Sequence, residues 1–223
     1  MAMHLLHIFV AVGLAHFLAL LSPGPDFVMI VKSASKHSSK DALSVVAGIT
    51  TANAVYIGLC LVGVGSILAA SAPIMLTLKL IGGLFLTYLG VQALRARKHS
   101  YGELGQSDEQ TSHGIVPTVQ TTLRKEFATG FISGIFNPKN LLFYLSLFTV
   151  VLTPDISFGF KLMLGIWMTF VVFAWDAAIV FLLSTRTVRR KFTQCAYYID
   201  KVTGAVLGTI GVAIVRSALI ERT

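Results

Sequence analysis

The sequence predicts an all-α, polytopic membrane protein: six transmembrane helices, built as two inverted three-helix repeats with helices 1 and 4 broken. Three observations carry this expectation. Of 223 residues, 55% are hydrophobic and 13% charged, against about 25% charged in soluble domains. Six apolar runs are long enough to cross a hydrocarbon core, which takes about 20 residues of helix. A proline-centred motif also stands once in each half, "LALLSPGPDFVMIV" beginning at Leu18 and "FISGIFNPKNLLFYL" beginning at Phe131.

The runs are His4–Val31, Ala42–Ala70, Pro73–Leu94, Phe127–Leu152, Ile156–Ser184 and Ile199–Ile220. Their apolar residues do not alternate with a period of two, so an outer-membrane barrel is not expected. The first run reads as a retained helix. Its start, "MAMHLLHIFV", has no Lys or Arg, and no small-x-small cleavage site precedes the prolines, both of which a signal peptide wants.

Positive residues fall in alternate links. Lys32, Lys36 and Lys40 follow run one; Arg95, Arg97, Lys98, Arg124 and Lys125 follow run three; Arg186, Arg189, Arg190 and Lys191 follow run five. The second link has none, and the fourth has Asp155, with Lys161 just inside run five. Cytoplasmic loops collect Lys and Arg, so the odd links are expected inside and both termini outside, with Arg216 and Arg222 running against this. The net charge of +8 is spread between apolar runs and not gathered on one face, which argues against nucleic acid as a partner. The third link holds "KHSYGELGQSDEQTSHG", polar, glycine-bearing and without apolar period. It reads as a mobile cytoplasmic linker, with His99 and His113 as solvated loop residues. The expected organisation is one transmembrane domain, with a first repeat over 1–94, the linker over 95–126 and a second repeat over 127–223.

The halves echo each other. Ser22-Pro23 stands opposite Asn137-Pro138, and Gly83 with Gly90-Val91 matches Gly204 with Gly211-Val212 at the same spacing, each preceded by a lysine, Lys79 or Lys201. Three spans per half is an odd number, so the second half enters the membrane upside down. Inverted repeats are an architecture of secondary transporters, whose sites lie near the midplane where broken helices meet.

Pro23 and Pro25 remove two backbone donors and clash with the preceding turn. Unsatisfied backbone groups cost several kcal/mol each in hydrocarbon, so the break is expected to face the bundle interior. There, freed N–H groups at a new helix start suit a carboxylate, and freed carbonyls suit an ammonium group. An amino acid carries both.

Asp26 is either a functional carboxylate or the cap of the helix after the break. Lys139 lies too deep in its run to snorkel and wants Asp26, Asp176 or a substrate carboxylate as partner. Asn137 and Asn140 offer amides to freed backbone. Asp176, isolated within "VVFAWDAAIVFLL", is a candidate proton carrier. Thr50, Thr51 and Asn53 in run two suit helix–helix hydrogen bonds, with Asn53 also a candidate substrate contact. Gly130, Gly134, Gly204 and Gly208 read as packing faces, and Lys79, Asp200 and Lys201 as interfacial anchors. Cys60 and Cys195 form no metal or disulfide pattern, and His7 and His16 are too far apart for one metal face. No metal, cofactor or enzyme signature is found in the sequence.

At "LLSPGPDF", "KDALSVVAGIT", the "YLG" of run three, "GIFNPKNLLFY" and the aspartate opening run six, the chain resembles the LysE/RhtB superfamily of amino-acid exporters, over nearly its whole length. The resemblance implies a six-helix, multi-pass exporter of the bacterial inner membrane for small neutral amino acids of the threonine or homoserine kind, run as a proton antiporter. Ser22, Pro23, Gly24, Pro25, Asp26, Asn137, Pro138 and Lys139 correspond to its signature. Asp176 falls where related exporters carry an acid, and proton coupling is expected at Asp26 and Asp176. The expected partners are an amino acid, protons and lipid. A metal-cation exporter or channel on the same fold is the alternative. The sequence leaves the oligomeric state open, a homo-oligomer included.

Overall fold

The computed structural model describes residues 2–70, 72–96, 121–151, 156–182 and 186–220. Among them are eight helices and no strand: α1 (Ala2–Leu21), α2 (Pro25–Lys36), α3 (Ser39–Ala70), α4 (Ala72–Arg95), α5 (Leu123–Ile135), α6 (Pro138–Val151), α7 (Phe158–Leu182) and α8 (Arg186–Ile220). Most of the expected linker, with His99 and His113, lies outside the described residues.

Among the described residues, five stretches are long and apolar enough to cross a membrane: Met3–Leu21, Ser39–Gly63, Pro73–Arg95, Phe158–Leu182 and Cys195–Ile220. Run four is not among these continuous stretches because it is broken, as the sequence led us to expect: it is divided into α5 and α6, of 13 and 14 residues, each alone short of the roughly 20 a span needs. Run one is divided too, but α1 is long enough by itself and ends at Leu21, not Val31. Two boundaries also move. Helix α8 begins well before Ile199, and α5 takes in the last residues of the expected linker. Thr122 caps α5 by accepting the Lys125 N–H at 3.3 Å, as an N-cap threonine does.

Outward faces are apolar. Met3, Leu6, Val10 and Leu14 step along α1 every three or four residues and are all more than half exposed. Such a stripe suits lipid and not water.

Inside, two apolar clusters sit at opposite ends of the bundle. One joins Val12 and Ala15 of α1, Tyr56 to Leu61 of α3, Leu86 of α4, Phe143 to Phe148 of α6, and Leu164 and Met168 of α7. The other joins Ile30 of α2, Ala42 to Ile49 of α3, and Ile179 and Val180 of α7. Helices α3 and α7 therefore run antiparallel, each passing from one cluster to the other. The stretches between the clusters are where Asn53 and Asp176 fall, two buried polar residues.

Glycines set the two closest crossings. In α3–α5, a Cβ on Gly48 would overlap the Phe127 carbonyl, and one on Gly130 the Val45 carbonyl. In α4–α8, a Cβ on Gly83 would come within 2.9 Å of Gly211 O, and one on Gly90 within 2.7 Å of Gly204 O. These are the glycines that echo between halves, and they meet crosswise, the first of one half against the second of the other.

Candidate functional site

The first break is made by Ser22, Pro23 and Gly24. Ser22 still donates to Leu18 O at 3.3 Å, but Pro23 has no N–H for Ala19 O, its acceptor one turn back. Helix α2 restarts with Gly24 as N-cap and Pro25 in the first helical position, where a missing donor costs nothing. The Gly24 carbonyl accepts Val28 N–H at 3.1 Å.

Lys139 repairs the end of α1. Its Nζ donates to Ala19 O at 3.2 Å and to Ser22 O at 2.8 Å. A cation there also answers the negative end of the helix dipole. Gly24 carries no unusual backbone angle, with φ −128°; its bare Cα matters because a Cβ would stand 3.3 Å from the Lys139 ammonium. The sequence suggested an acid or a substrate as partner for Lys139. Its hydrogen bonds go to backbone instead, and two of its three ammonium donors are used.

The second break follows the same logic with different residues. Helix α5 ends at Ile135, and Asn137 caps α6, its Oδ1 accepting the Lys139 N–H at 3.0 Å. Pro138 again takes the first helical position. The carbonyl of Ile135, at the end of α5, accepts the hydroxyl of Tyr56 from α3.

Asp26 ties the two breaks together. Ser133 Oγ of α5 donates to its Oδ1 at 3.1 Å, and Asn140 Nδ2 of α6 to its Oδ2 at 2.6 Å. It sits in the first turn of α2, and its two oxygens form a bracket between the halves. Each carboxylate oxygen keeps a lone pair for a further donor.

Between the breaks lies a cavity of about 50 Å³, room for a few waters. Ser22, Gly24, Asp26, Asn53, Asn137, Lys139 and Asp176 line it. Asn53 spends its Nδ2 on Ile49 O at 2.8 Å. Asp176 has no hydrogen-bond partner among the described residues. It shares the field of Lys139 with Asp26 and Asp200. Pro23, Pro25 and Pro138 stand behind this cavity, on a larger recess of about 440 Å³ that also touches Ser22, Gly24, Asn137 and Lys139. Tyr88, Gln92 and Ala96 of the α4 end and Asp200 of α8 complete the recess. The break residues and Lys139 are thus the partition between two spaces.

Asp200 and Lys201, expected as interfacial anchors, differ in their surroundings. Asp200 is buried, and Lys201 donates to the carbonyls of Leu94 and Ala96, closing the end of α4. Reasoning from sequence also passed over Tyr56, Ser133, Tyr144 and His16 as site residues, and the buried Glu126, which accepts the Thr121 hydroxyl at 2.7 Å. Only the facing of the halves singles them out.

The family described as LysE type translocator matches residues 17–218 of the chain. Among curated proteins, the chain is 28% identical to the threonine efflux protein of Salmonella typhi, over 96% of this chain and 100% of that protein. It is 28% identical to the threonine efflux protein of Escherichia coli K12, with the same coverage. An uncharacterized membrane protein of Haemophilus influenzae is 26% identical over 93% of this chain and 96% of its own length. No solved structure matches.

Proposed function

The chain belongs to the LysE type translocator family, and from that premise we propose an exporter of small neutral amino acids, of the threonine or homoserine kind, run by proton antiport across the bacterial inner membrane. The observation that carries the proposal is the pair of facing helix breaks, with a lysine and two acids around one cavity. Members of this family are transporters and not enzymes, and the threonine efflux relatives support an amino acid as cargo.

A zwitterion needs an anion site and a cation site a few ångströms apart. The third donor of Lys139 and the start of α2 serve the carboxylate. The remaining lone pairs of Asp26 serve the ammonium, and Asp176, which has no protein donor, takes the proton. The cavity is smaller than an amino acid, so the halves must part to load it. The recess is the cytoplasmic approach. It opens at the end of α4, the end that carries Arg95, and positive residues mark the cytoplasmic side.

Two features support an inverted-repeat rocking mechanism. The broken unit α1–α2 runs from the first apolar cluster to the second, and α5–α6 runs back. The crosswise meeting of Gly83 with Gly211 and Gly90 with Gly204 is what a two-fold relation between halves produces.

The test is transport in vesicles holding a panel of labelled amino acids under an imposed pH gradient. Threonine or homoserine should move in the wild type and stop in Lys139→Ala, with insertion intact. Failure of the whole panel, with a metal such as cadmium moving instead, overturns the proposal in favour of a cation exporter.

A further inference from the structure

His16 of α1 and Tyr144 of α6 line the same cavity and have no part in the scheme above. Both are almost wholly buried, at 1% and 2% exposure. His16 lies among Phe143, Trp167 and the Tyr144 ring, with centroids 6.0 to 6.2 Å away. Its one polar neighbour is the Tyr144 hydroxyl, 3.4 Å from Nε2. Its Nδ1 is buried with no partner.

Proton accounting assigns the direction of that contact. A neutral imidazole has one N–H. Placed on Nδ1, it would be a buried donor without an acceptor, the rarer and costlier kind of orphan. Placed on Nε2, it donates to Tyr144 Oη and leaves only a bare acceptor. The tyrosine oxygen then receives a hydrogen bond, and its own proton must point elsewhere. No protein acceptor for it is found among the described residues, so it points into the cavity.

We propose that Tyr144 is a specificity-determining residue that donates a hydrogen bond to the side-chain hydroxyl of the transported amino acid, with His16 as the positioning residue that aims it. The inference rests on the exporter function proposed above. Its geometry comes from α6. Asn140, bound to Asp26 at the head-group end, and Tyr144 are four residues apart, so they share a face about 5–6 Å apart. That is the scale separating an amino acid's charged groups from a donor that reads its side-chain oxygen. A site built to bond a hydroxyl disfavours the analogue that lacks it, because its own donor is left unmet.

The experiment measures efflux of threonine against valine, which replaces the hydroxyl with a methyl, in vesicles holding the full chain. Wild type should prefer threonine. Tyr144→Phe, which removes one oxygen, should lower the threonine-to-valine ratio about tenfold, as loss of one hydrogen bond does. His16→Leu should lower it likewise, and His16→Gln, which restores an N–H donor, should recover it. The His16 pair reads the same ratio even where the tyrosine variant does not insert. An unchanged ratio in inserted Y144F or H16L overturns the inference, as does a wild type that moves both amino acids equally. A wild type that moves no amino acid overturns the exporter function itself.

Discussion

Replacing Asp26 separates its two roles. Its oxygens accept from Ser133 at 3.1 Å and Asn140 at 2.6 Å, and hydrogen bonds to a charged group are worth about 1.5–3 kcal/mol against about 0.5–1.5 for neutral ones. In Asp26→Asn both neighbours can adapt, because a hydroxyl and an amide each donate and accept. Two neutral bonds then replace two charged ones, a loss of about 2 kcal/mol before relief from no longer burying a charge. Asp26→Ala leaves both neighbours without a partner, at about 1–3 kcal/mol each, or roughly 2–4 kcal/mol once cavity water takes up part of it. Thermal melting in detergent should therefore rank wild type above D26N and D26N above D26A. Export should fall more than tenfold in both, because neither holds a carboxylate for the ammonium. Full export by D26N refutes any use of the charge. Equal melting of the two variants refutes the bracket.

Two further perturbations follow. Gly48→Ala and Gly130→Ala drive a methyl into backbone at the α3–α5 crossing, so each should cost at least about 1–3 kcal/mol in detergent melts. Gly58→Ala, on the same helix α3 but with no atom within 4 Å, should be neutral or stabilising by up to about 1 kcal/mol; equal behaviour at all three positions contradicts the packing described. Tyr56→Phe removes the donor to Ile135 O, for about 1–2 kcal/mol, and should speed amide exchange at the α5–α6 junction while leaving α2 unchanged.

Much of this architecture is written locally. The breaks are legible because proline has no N–H wherever the chain goes, and Asn137-Pro138 is a helix start by its own chemistry. The apolar runs are legible because hydrocarbon admits only satisfied backbone. The division of run four is legible in the same local way: a proline stands inside "FISGIFNPKNLLFYL", and the helix before it ends at Ile135.

The sequence by itself determined that two broken helices exist and that charge and amide groups stand beside each break. It did not determine what those groups touch. Lys139 answers Ala19 and Ser22, 120 and 117 residues away, and Asp26 answers Ser133 and Asn140 at similar separation. An isolated reading gives a buried lysine the strongest partner available, an acid. Tertiary structure gave it the carbonyls that proline had orphaned, because in a dry interior those must be met wherever a donor comes within reach. The same holds for His16 and Tyr144, an ordinary histidine and an ordinary aromatic along the chain. Their pairing, and the proton it sends into the cavity, come into being only when α1 and α6 face each other.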